Sequence, residues 1–477
     1  MNLRNLINGI QNVSVHGDAD IVSLACDSRS ASAGTLFAAL PGAKFDGKHF
    51  IPEAIARGAS AVLSDVFVDS VPCILTSTPR KTFAEIADKF YNSPSKSIRL
   101  IGVTGTNGKT TTAYLLRHIF NMSKERCGML GTIEYDLGSS KITAPLTTPE
   151  CVDFTASLAE MKKNGCTTAA VEVSSHALDQ YRVHPHRFSC AVFTNLTRDH
   201  LDYHKTMESY FNAKKRLFDS LDSNGYACVN ADDKYGDAIV KDCAGKVIRY
   251  GLSENANVHA AINKADLHGT TLTVRYGYDS QMFHSPLVGD YNVSNVLGAC
   301  AASVCLGLDL RTIAYAVESF PGVPGRLERF HANGITVFVD YAHTDDAIRS
   351  ALSVLKQLTC GKLWVVFGCG GDRDRGKRPM MARAAEQSAD YIVVTQDNPR
   401  TEYPGQILKD IESGFSDLSN VKMISDRSEA ISYTIKNAQV NDVILVAGKG
   451  HENYQIFGTV KHPFDDCEQV KTALEKK

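Results

Sequence analysis

A glycine-rich segment at residues 101–112, IGVTGTNGKTTT, carries the residue types that bind phosphate groups. Glycines let backbone N–H groups close around phosphate oxygens, the side chain of Lys109 can reach the outer phosphates, and the hydroxyl of Thr110 can ligate Mg²⁺. The usual pattern has a glycine where Val103 stands, so the segment is a variant of the phosphate loop. It predicts a nucleotide site, and an ordinary glycine-containing turn is the alternative.

Two other segments place metal-ligating residue types where apolar runs end. Glu172 follows the run that begins at Thr168, and the polar stretch 194–204 follows the run that begins at Cys190. Because ligands collect at the carboxyl ends of parallel strands, Glu172 and His200 could bind Mg²⁺ beside the phosphate loop. Taken singly, each residue could instead cap a helix or face solvent.

A third group of polar, glycine-rich loops follows apolar runs in the last 150 residues or so of the chain. Arg373 and Arg400 offer guanidinium forks for carboxylates, while Asp397 and Glu452 can accept hydrogen bonds from an ammonium group. Cations and anions together suit a zwitterionic amino acid. Each of these residues alone could also belong to an ordinary loop ion pair.

Several further stretches have two interpretations each. The basic run 214–216, Lys-Lys-Arg, favours a solvated helix face. Asn292 and Asn295 could cap a helix predicted at residues 296–308, or present their amides to a purine. The loops 27–29 and 41–47 could bind an anionic ligand or form plain surface turns.

Alternating apolar strands and helical patterns must position these groups. Residues 1–97 predict a small α/β domain that ends in a polar linker, and residues 98–323 predict a central doubly wound domain with the phosphate-loop variant. Residues 324–477 predict a Rossmann-like α/β domain with its own ligand edge. A chain of 477 residues is too long for one core, which agrees with three α/β domains.

The composition excludes several classes of protein. Lys and Arg (51) nearly balance Asp and Glu (53), and the formal net charge of −2 gives no reason to expect nucleic-acid binding. The 13 cysteines show no Cys-x-x-Cys spacing, which argues against a disulfide framework or a zinc site. No apolar run has the length that export or membrane insertion requires, so we expect a cytoplasmic protein.

Several motifs together make the chain similar to the Mur ligases. The glycine-lysine loop at 104–110 is shared with folylpolyglutamate synthases, but its combination with the other motifs is specific to Mur ligases. Residues 397–400, Asp-Asn-Pro-Arg, further resemble the members that add meso-diaminopimelate, because an arginine can hold the distal carboxylate that L-lysine lacks. The other motifs are DHLD at 199–202, YNxxN at 291–295, GRLE at 325–328, DYAH at 340–343 and GKGHE at 448–452.

The resemblance implies a role for each candidate residue. It implies ATP binding by Gly105, Thr106, Asn107, Gly108, Lys109, Thr110, Thr111, Asn292, Asn295, Arg326 and Asp340. It implies Mg²⁺ binding by Thr110, Glu172, His200 and a carbamylated Lys214, which replaces the solvated-face interpretation, and catalytic roles for Lys109, Glu172, His200 and Lys214. It implies substrate binding by Ser28, Thr147, Thr148, Ser174, Gln180 and Arg182 for a nucleotide sugar, and by Arg373, Asp397, Asn398, Pro399, Arg400, Gly448 and Glu452 for an amino acid.

The reaction that the resemblance implies is ATP-dependent amide formation in peptidoglycan precursor synthesis. UDP-MurNAc-L-Ala-D-Glu and meso-diaminopimelate would be joined through an acyl phosphate, and we expect the enzyme to be a monomer. The alternatives are ligases that add L-lysine or the next dipeptide, and an amide ligase like folylpolyglutamate synthase. A regulatory or scaffold protein that binds a nucleotide without catalysis is an alternative of another class.

Overall fold

The computed structural model describes residues 1–42 and 45–477 and confirms a mixed α/β protein. The chain divides into two compact units. The first unit comprises Met1–Ala260, Val274–Gln281 and Ser294–Ala316, and the second comprises Ala261–Thr273, Met282–Val293 and Val317–Lys477. Within the described ranges, the strands form sheets of five, eleven and six strands and a two-stranded ribbon.

The N-terminal sheet has the strand order β1-β5-β4-β3-β2, with β1 antiparallel to β5 and the other pairs parallel. Its apolar face packs on the first and third helices through residues such as Leu36, Leu63 and Phe83. Of the candidate loop 41–47, Ala43 and Lys44 lie outside the described residues. The elements are α1 (Leu3–Ile7), β1 (Val13–His16), β2 (Ser23–Ala25), β3 (Thr35–Ala38), α2 (Ile51–Ala56), β4 (Ala61–Ser64), β5 (Cys73–Thr76) and α3 (Pro79–Phe90).

The central part of the chain forms a parallel sheet between helices. Apart from β13, its strands are buried on both faces, as parallel strands in α/β proteins are. The strands are β6 (Arg99–Thr104), β7 (Cys127–Leu130), β10 (Thr168–Glu172), β11 (Cys190–Phe193), β12 (Tyr226–Asn230) and β13 (Lys246–Gly251), paired in the order β13-β12-β11-β6-β10-β7. The helices are α4 (Lys109–Met122), α5 (Cys151–Lys163), α6 (Ser175–Asp179), α7 (Leu201–His204), α8 (Met207–Asp219) and α9 (Gly236–Ile239).

Further strands extend this sheet at both of its edges. A short hairpin, β8 (Glu134–Asp136) and β9 (Lys141–Thr143), follows β7. Three longer strands, β14 (Val258–Asp266), β15 (Gly269–Tyr276) and β16 (Asp279–Ser285), continue the sheet beyond β13. Two helices follow, α10 (Asp290–Cys305) and α11 (Leu310–Glu318).

The C-terminal sheet has the strand order β17-β18-β22-β19-β20-β21, with only β17 antiparallel to its neighbour among the described pairs. The four strands predicted here from apolar runs are present as β18, β19, β20 and β22. The strands are β17 (Glu328–Ala332), β18 (Ile335–Asp340), β19 (Leu363–Phe367), β20 (Tyr391–Val394), β21 (Val421–Met423) and β22 (Val443–Ala447), with the ribbon β23 (Tyr454–Phe457) and β24 (Val460–Pro463). The helices are α12 (Asp345–Leu358), α13 (Lys377–Glu386), α14 (Pro404–Glu412), α15 (Arg427–Asn437) and α16 (Asp466–Glu475).

Two fully buried arginines fix the loops at the carboxyl edge of the C-terminal sheet. Arg427 pairs with Asp466 at 2.7 Å and donates to the backbone oxygen of Ala447 at 3.0 Å, where β22 ends. Arg378 pairs with Glu402 at 3.0 Å and donates to the backbone oxygen of Gly370 at 3.3 Å. Because breaking a buried ion pair leaves an uncompensated charge, these pairs hold the polar loops in one arrangement.

No helix in the described part of the chain combines the length and the apolar character that crossing a membrane requires.

Candidate active site

The phosphate loop lies between β6 and α4, as the sequence predicts. Gly105 and Gly108 have φ angles of +154° and +87°. A Cβ atom at Gly105 would lie 1.9 Å from Oγ1 of Thr194, and one at Gly108 would lie 2.2 Å from Oδ1 of Asn295. Both glycines are therefore required by conformation and by close packing. Val103 is a buried residue of β6 that pairs with Glu172, which explains why no glycine stands there.

Glu172 is fully buried at the end of β10, beside the phosphate loop. Its Oε2 atom accepts hydrogen bonds from the hydroxyls of Thr110 at 3.0 Å and Thr132 at 2.9 Å, and its Oε1 atom accepts from the backbone N–H of Thr132 at 2.9 Å. A carboxylate next to a hydroxyl on a phosphate loop is a suitable donor set for Mg²⁺. The structure therefore brings together two of the four predicted metal ligands.

Lys214 of α8 is a third predicted ligand at this place, and only 1% of its surface is exposed. Its Nζ atom donates to the backbone oxygen of Gly105 at 2.8 Å, and Nζ of Lys109 donates to the same oxygen at 2.9 Å. Burial, together with the charge of Lys109, holds the pKa of Lys214 well below its usual value. The solvated-face interpretation of Lys214 is therefore wrong.

His200 precedes α7 and belongs to a group of histidines. Its ring lies 5.0 Å from the ring of His176 and 6.0 Å from the ring of Tyr210, whose own ring lies 4.6 Å from Nζ of Lys214. Burial lowers the pKa of His200, and burial with neighbouring His200 lowers the pKa of His176 to about 4. Both rings are therefore neutral near pH 7, which is the form that ligates metal ions.

No group of three or more His, Cys, Asp or Glu residues in the described ranges has a geometry that could hold a metal ion. The predicted Mg²⁺ ligands differ from such a group in chemistry, because they combine one carboxylate and one imidazole with a hydroxyl and a modified lysine.

Five of the six residues predicted to bind a nucleotide sugar form one hydrogen-bonded cluster. Arg182 donates to the backbone oxygen of Thr148 at 3.0 Å and to Oε1 of Gln180 at 2.8 Å. The hydroxyl of Thr148 lies 3.4 Å from Oγ of Ser174 and donates to the backbone oxygen of Glu172 at 2.7 Å. The hydroxyl of Thr147 lies 3.1 Å from that of Thr132, which connects this cluster to the carboxylate of Glu172.

A cavity of about 270 Å³ opens at the carboxyl edge of the C-terminal sheet. It contains guanidinium, ammonium and carboxylate groups together, as binding of a zwitterionic amino acid requires. Six of the seven residues predicted for this role line it, and Pro399 is adjacent to two of them. The lining residues are Arg373, Asp397, Asn398, Arg400, Gly448 and Glu452, with Tyr341, His343, Gly368, Cys369, Gly370 and Lys377.

Lys449 fixes the acidic side of this cavity. It is fully buried, and its Nζ atom lies 3.2 Å from Oδ1 of Asp397, 3.1 Å from Oδ1 of Asn398 and 3.4 Å from Oε2 of Glu452. Asn398 also donates to Oε2 of Glu452 at 2.9 Å. One buried ammonium thus offsets part of the charge of two carboxylates and sets the distance between them.

Comparison with known proteins places all three regions in one family. Residues 20–88 match the family described as "Mur ligase family, catalytic domain", residues 103–303 match "Mur ligase middle domain", and residues 325–450 match "Mur ligase, glutamate ligase domain". A relative from Synechococcus elongatus named UDP-N-acetylmuramoyl-L-alanyl-D-glutamate--2,6-diaminopimelate ligase is 44% identical over 100% of this chain and 99% of its own length. The chain belongs to the Mur ligase family.

Two further comparisons agree with this assignment. A protein of the same name from Geobacter sulfurreducens is 42% identical over 99% of both chains. A solved structure of a ligase with that name is 36% identical, covers 96% of this chain and 95% of its own, and superposes with a TM-score of 0.73. The predicted Mur ligase resemblance is therefore confirmed.

The other residues predicted to bind substrate or ATP in this Mur ligase lie outside the clusters described above. Ser28 begins a 3₁₀ turn, and its hydroxyl donates to Oε2 of Glu53 at 2.8 Å. The helix predicted at 296–308 begins earlier, at Asp290, so Asn292 and Asn295 lie inside it, and the capping interpretation is wrong. Asn292 donates to the backbone oxygen of Val288 at 2.9 Å, one turn earlier.

Arg326 and Asp340, two predicted ATP contacts, lie close to Tyr341 in the second unit. The guanidinium carbon of Arg326 is 4.9 Å from the centre of the Tyr341 ring. The Nε atom of Arg326 is buried and has no hydrogen-bond partner in the described part of the chain, which leaves a donor for an anionic ligand. Asp340 accepts from the backbone N–H groups of Leu327 at 2.7 Å and Ala342 at 2.8 Å.

Sequence reasoning missed three residues that contact the predicted ones: Thr132, Tyr210 and Lys449. Thr132 follows β7, and the preceding Gly131 leaves room for the Glu172 carboxylate, because a Cβ there would lie 2.4 Å from its Oε1. Gly-Thr directly after an apolar run is the signal that could have found it. Tyr210 precedes Lys214 by one helical turn, and Lys449 lies inside the GKGHE motif.

Proposed function

We propose that this Mur ligase joins meso-diaminopimelate to UDP-MurNAc-L-Ala-D-Glu and converts ATP to ADP and phosphate. The observation that carries the proposal is a cavity lined by two cationic side chains, Arg373 and Arg400, and by two acidic side chains, Asp397 and Glu452. Diaminopimelate carries two carboxylates and two ammonium groups, so it can use both kinds of group. The names of the relatives support the same substrates.

The proposed chemistry has two steps. The side-chain carboxylate of D-Glu attacks the γ-phosphorus of ATP, so that a P–O bond forms and ADP leaves. The amine of diaminopimelate then attacks the acyl carbon, a C–N bond forms, the nitrogen loses a proton and inorganic phosphate leaves. Neither step needs a covalent protein nucleophile, so the protein acts by positioning the reactants and by electrostatic stabilisation.

The residues of the first unit have roles in this scheme that agree with their contacts. Residues 105–111 would bind the phosphates, with Lys109 placed to offset charge on the transferring group. Thr110, Glu172, His200 and a carbamylated Lys214 would hold Mg²⁺, which supplies charge neutralisation at the phosphoryl group when it is bound. The predicted ATP contacts also include Asn292, Asn295, Arg326 and Asp340.

The nucleotide sugar would be bound by the cluster of Arg182 and its neighbours. Its members Thr147 and Thr148 follow the β8–β9 hairpin, and Ser174 caps the N-terminus of α6. Ser28 would contribute from the N-terminal sheet. A monomeric enzyme, a cytoplasmic location, and a part in cell-wall synthesis, cell shape and cell division belong to this proposal.

Phosphate release tests the proposed function directly. The purified protein is assayed with ATP, Mg²⁺ and UDP-MurNAc-L-Ala-D-Glu, and with meso-diaminopimelate or L-lysine as the amino acid. We expect release that depends on diaminopimelate, and formation of the corresponding UDP-MurNAc-tripeptide. Turnover with lysine alone, or with folate and glutamate instead, would refute the proposed substrate. Nucleotide binding with no turnover on any acceptor would favour the regulatory alternative.

Replacing Lys449 by methionine should weaken amino-acid binding. The change keeps the apolar stem but leaves the Asp397 and Glu452 carboxylates without their buried cation, so their positions and mutual repulsion change. We expect the KM for diaminopimelate to rise by about 10- to 100-fold, with a much smaller change in the KM for ATP. Steady-state kinetics measures both values.

The matched control for this variant is Lys436→Met, which removes an ammonium from the exposed surface of α15. It should leave both KM values within about twofold. An unchanged KM for diaminopimelate in Lys449→Met, in a protein that melts like the wild type, would show that Lys449 does not organise the amino-acid site.

A further inference from the structure

A chain of hydroxyl groups joins the predicted metal site to the predicted nucleotide-sugar site. Thr110 and Thr132 both lie within 3.0 Å of Oε2 of Glu172, and the hydroxyl of Thr132 lies 3.1 Å from that of Thr147. Thr132 is the residue common to both ends. Sequence reasoning gave it no role.

The directions of these hydrogen bonds follow from counting protons. A carboxylate can only accept, so the single hydroxyl proton of Thr132 is donated to Glu172. The contact between the two threonine hydroxyls must then use the proton of Thr147, with Oγ1 of Thr132 as the acceptor. Thr147 is left with lone pairs, so it presents an acceptor to an N–H or O–H group of a bound ligand.

A second connection runs parallel to the first. The hydroxyl of Thr148 donates to the backbone oxygen of Glu172 at 2.7 Å, and the backbone N–H of Ser174 donates to the hydroxyl of Thr148 at 3.0 Å. The segment containing Thr147 and Thr148 is thus attached both to the side chain and to the backbone of Glu172. A displacement of the Glu172 carboxylate should therefore shift the position of the Thr147 hydroxyl.

We propose that Thr132 is a positioning residue that couples the Glu172 carboxylate to Thr147, so that the metal site and the nucleotide-sugar site are assembled together. The inference rests on the proposed function for the identity of the two ligands. It adds that Thr147 accepts a hydrogen bond from the nucleotide sugar, for which an amide N–H of its dipeptide is a suitable donor.

The test uses Thr132→Val, which has nearly the same shape and keeps the backbone N–H bond to Oε1 of Glu172. Binding of Mn²⁺ in the presence of ADP is measured by electron paramagnetic resonance, and binding of UDP-MurNAc-L-Ala-D-Glu is measured by calorimetry. We expect both dissociation constants to rise by about 10-fold. Thr132→Ser, which restores the hydroxyl, should return both to within about threefold of the wild type.

A double-mutant cycle with Thr147→Val tests the coupling itself. If the two hydroxyls bond to each other, the double variant should weaken nucleotide-sugar binding by about as much as the larger single change. The proposal would be overturned if the fold-change in the dissociation constant of the double variant equalled the product of the two single fold-changes. It would also be overturned by a Thr132→Val protein that binds Mn²⁺ as tightly as the wild type. Thr143→Val, at an exposed position of β9, is the control and should change neither constant.

These measurements separate the inference from the proposed function. Binding of Mn²⁺ with ADP needs no acceptor amino acid and no turnover. A wild-type protein that binds Mn²⁺ and ADP but fails to use diaminopimelate would refute the proposed function and leave the metal-site effect of Thr132 measurable. A Thr132→Val protein that turns over diaminopimelate with unchanged Mg²⁺ and nucleotide-sugar dependence would refute the inference alone.

Discussion

Replacing Arg400 by lysine should lower kcat/KM for meso-diaminopimelate by about 100- to 1,000-fold, because a buried charge-assisted contact in a binding site is worth roughly 2–5 kcal/mol. One Nη1–H group of Arg400 donates to the backbone oxygen of Gly371 at 2.8 Å, while the side chain also lines the cavity at the carboxyl edge of the C-terminal sheet. A guanidinium has further N–H groups for a carboxylate, whereas the lysine ammonium is a single point charge on a flexible stem.

The backbone of Arg400 supports a specialised role. Its φ angle is +52°, a conformation that costs a non-glycine residue about 1–2 kcal/mol. Backbone hydrogen bonds hold it there, because its N–H donates to the oxygen of Ile456 at 3.0 Å and its oxygen accepts from the N–H of Gly458 at 2.8 Å. Strain maintained by surrounding structure is typical of residues that must present a side chain in one direction.

The measurement for Arg400 is the ratio of kcat/KM for meso-diaminopimelate to that for L-lysine. We expect the ratio to fall in Arg400→Lys, since the site loses the group that we propose holds the distal carboxylate. Arg383→Lys, at an exposed position of α13, is the matched control and should preserve the ratio. A preserved ratio in Arg400→Lys, or an equal loss with both amino acids, would contradict the assignment of Arg400 to the distal carboxylate.

The parts of this protein that the sequence predicts are those with strong local signals. The phosphate loop is one, because the apolar strand, the glycines and the following helix are adjacent in the chain. The carboxyl ends of β18, β19, β20 and β22 are another, since each apolar run is followed directly by a polar loop. Both local patterns determine which edge of a sheet carries ligands.

Antiparallel strands at the sheet edges gave weaker signals. In β1 and β9, partly buried or exposed residues dominate, so no apolar run marks them. Long-range contacts are also invisible in the sequence. Thr132 meets Glu172 because β7 and β10 are neighbours, and these strands are about forty residues apart in the chain.

The burial of Lys214 could have been predicted from the helix period. Tyr210, Lys214, Leu217 and Phe218 follow the spacing of one helix face, and all four are buried on α8. Interpreting residues 214–216 as one basic run obscured this, because only Lys215 and Arg216 have carboxylate partners near the surface. A charged residue within an apolar stripe of a helix is the pattern that identifies a buried lysine such as Lys214.

Replacing Lys214 by alanine should lower kcat by about 100- to 1,000-fold, which is the usual effect of removing one charge-stabilising group from an active site. As an ammonium, Lys214 would share the oxygen of Gly105 with the ammonium of Lys109, so a fully buried charge would lie close to a like charge. Reaction of the neutral amine with CO₂ gives a carbamate and a proton, and converts this repulsion into attraction. The lowered pKa of Lys214 increases the amount of neutral amine that can react.

Two conditions should test the proposed carbamate without altering the chain. Because its formation releases a proton, activity should fall as the pH is lowered, and added bicarbonate should offset part of that fall. Activity should also decrease in buffers freed of CO₂ and recover when bicarbonate is returned. Wild-type activity that is the same with and without CO₂ at every pH would contradict carbamylation of Lys214.

Rescue separates a lost carboxylate from a damaged fold. If the proposed carbamate is what Lys214→Ala removes, short carboxylates such as acetate should supply an anion in its place. We expect acetate to raise the kcat of this variant at least about 10-fold. Lys215→Ala is the matched control, because Lys215 pairs with Asp219 at 2.5 Å and Asp242 at 2.9 Å instead of facing the phosphate loop. It should keep near wild-type activity and show no response to acetate. Full activity in Lys214→Ala without any carboxylate would mean that Lys109, Thr110 and Glu172 complete the phosphoryl site by themselves.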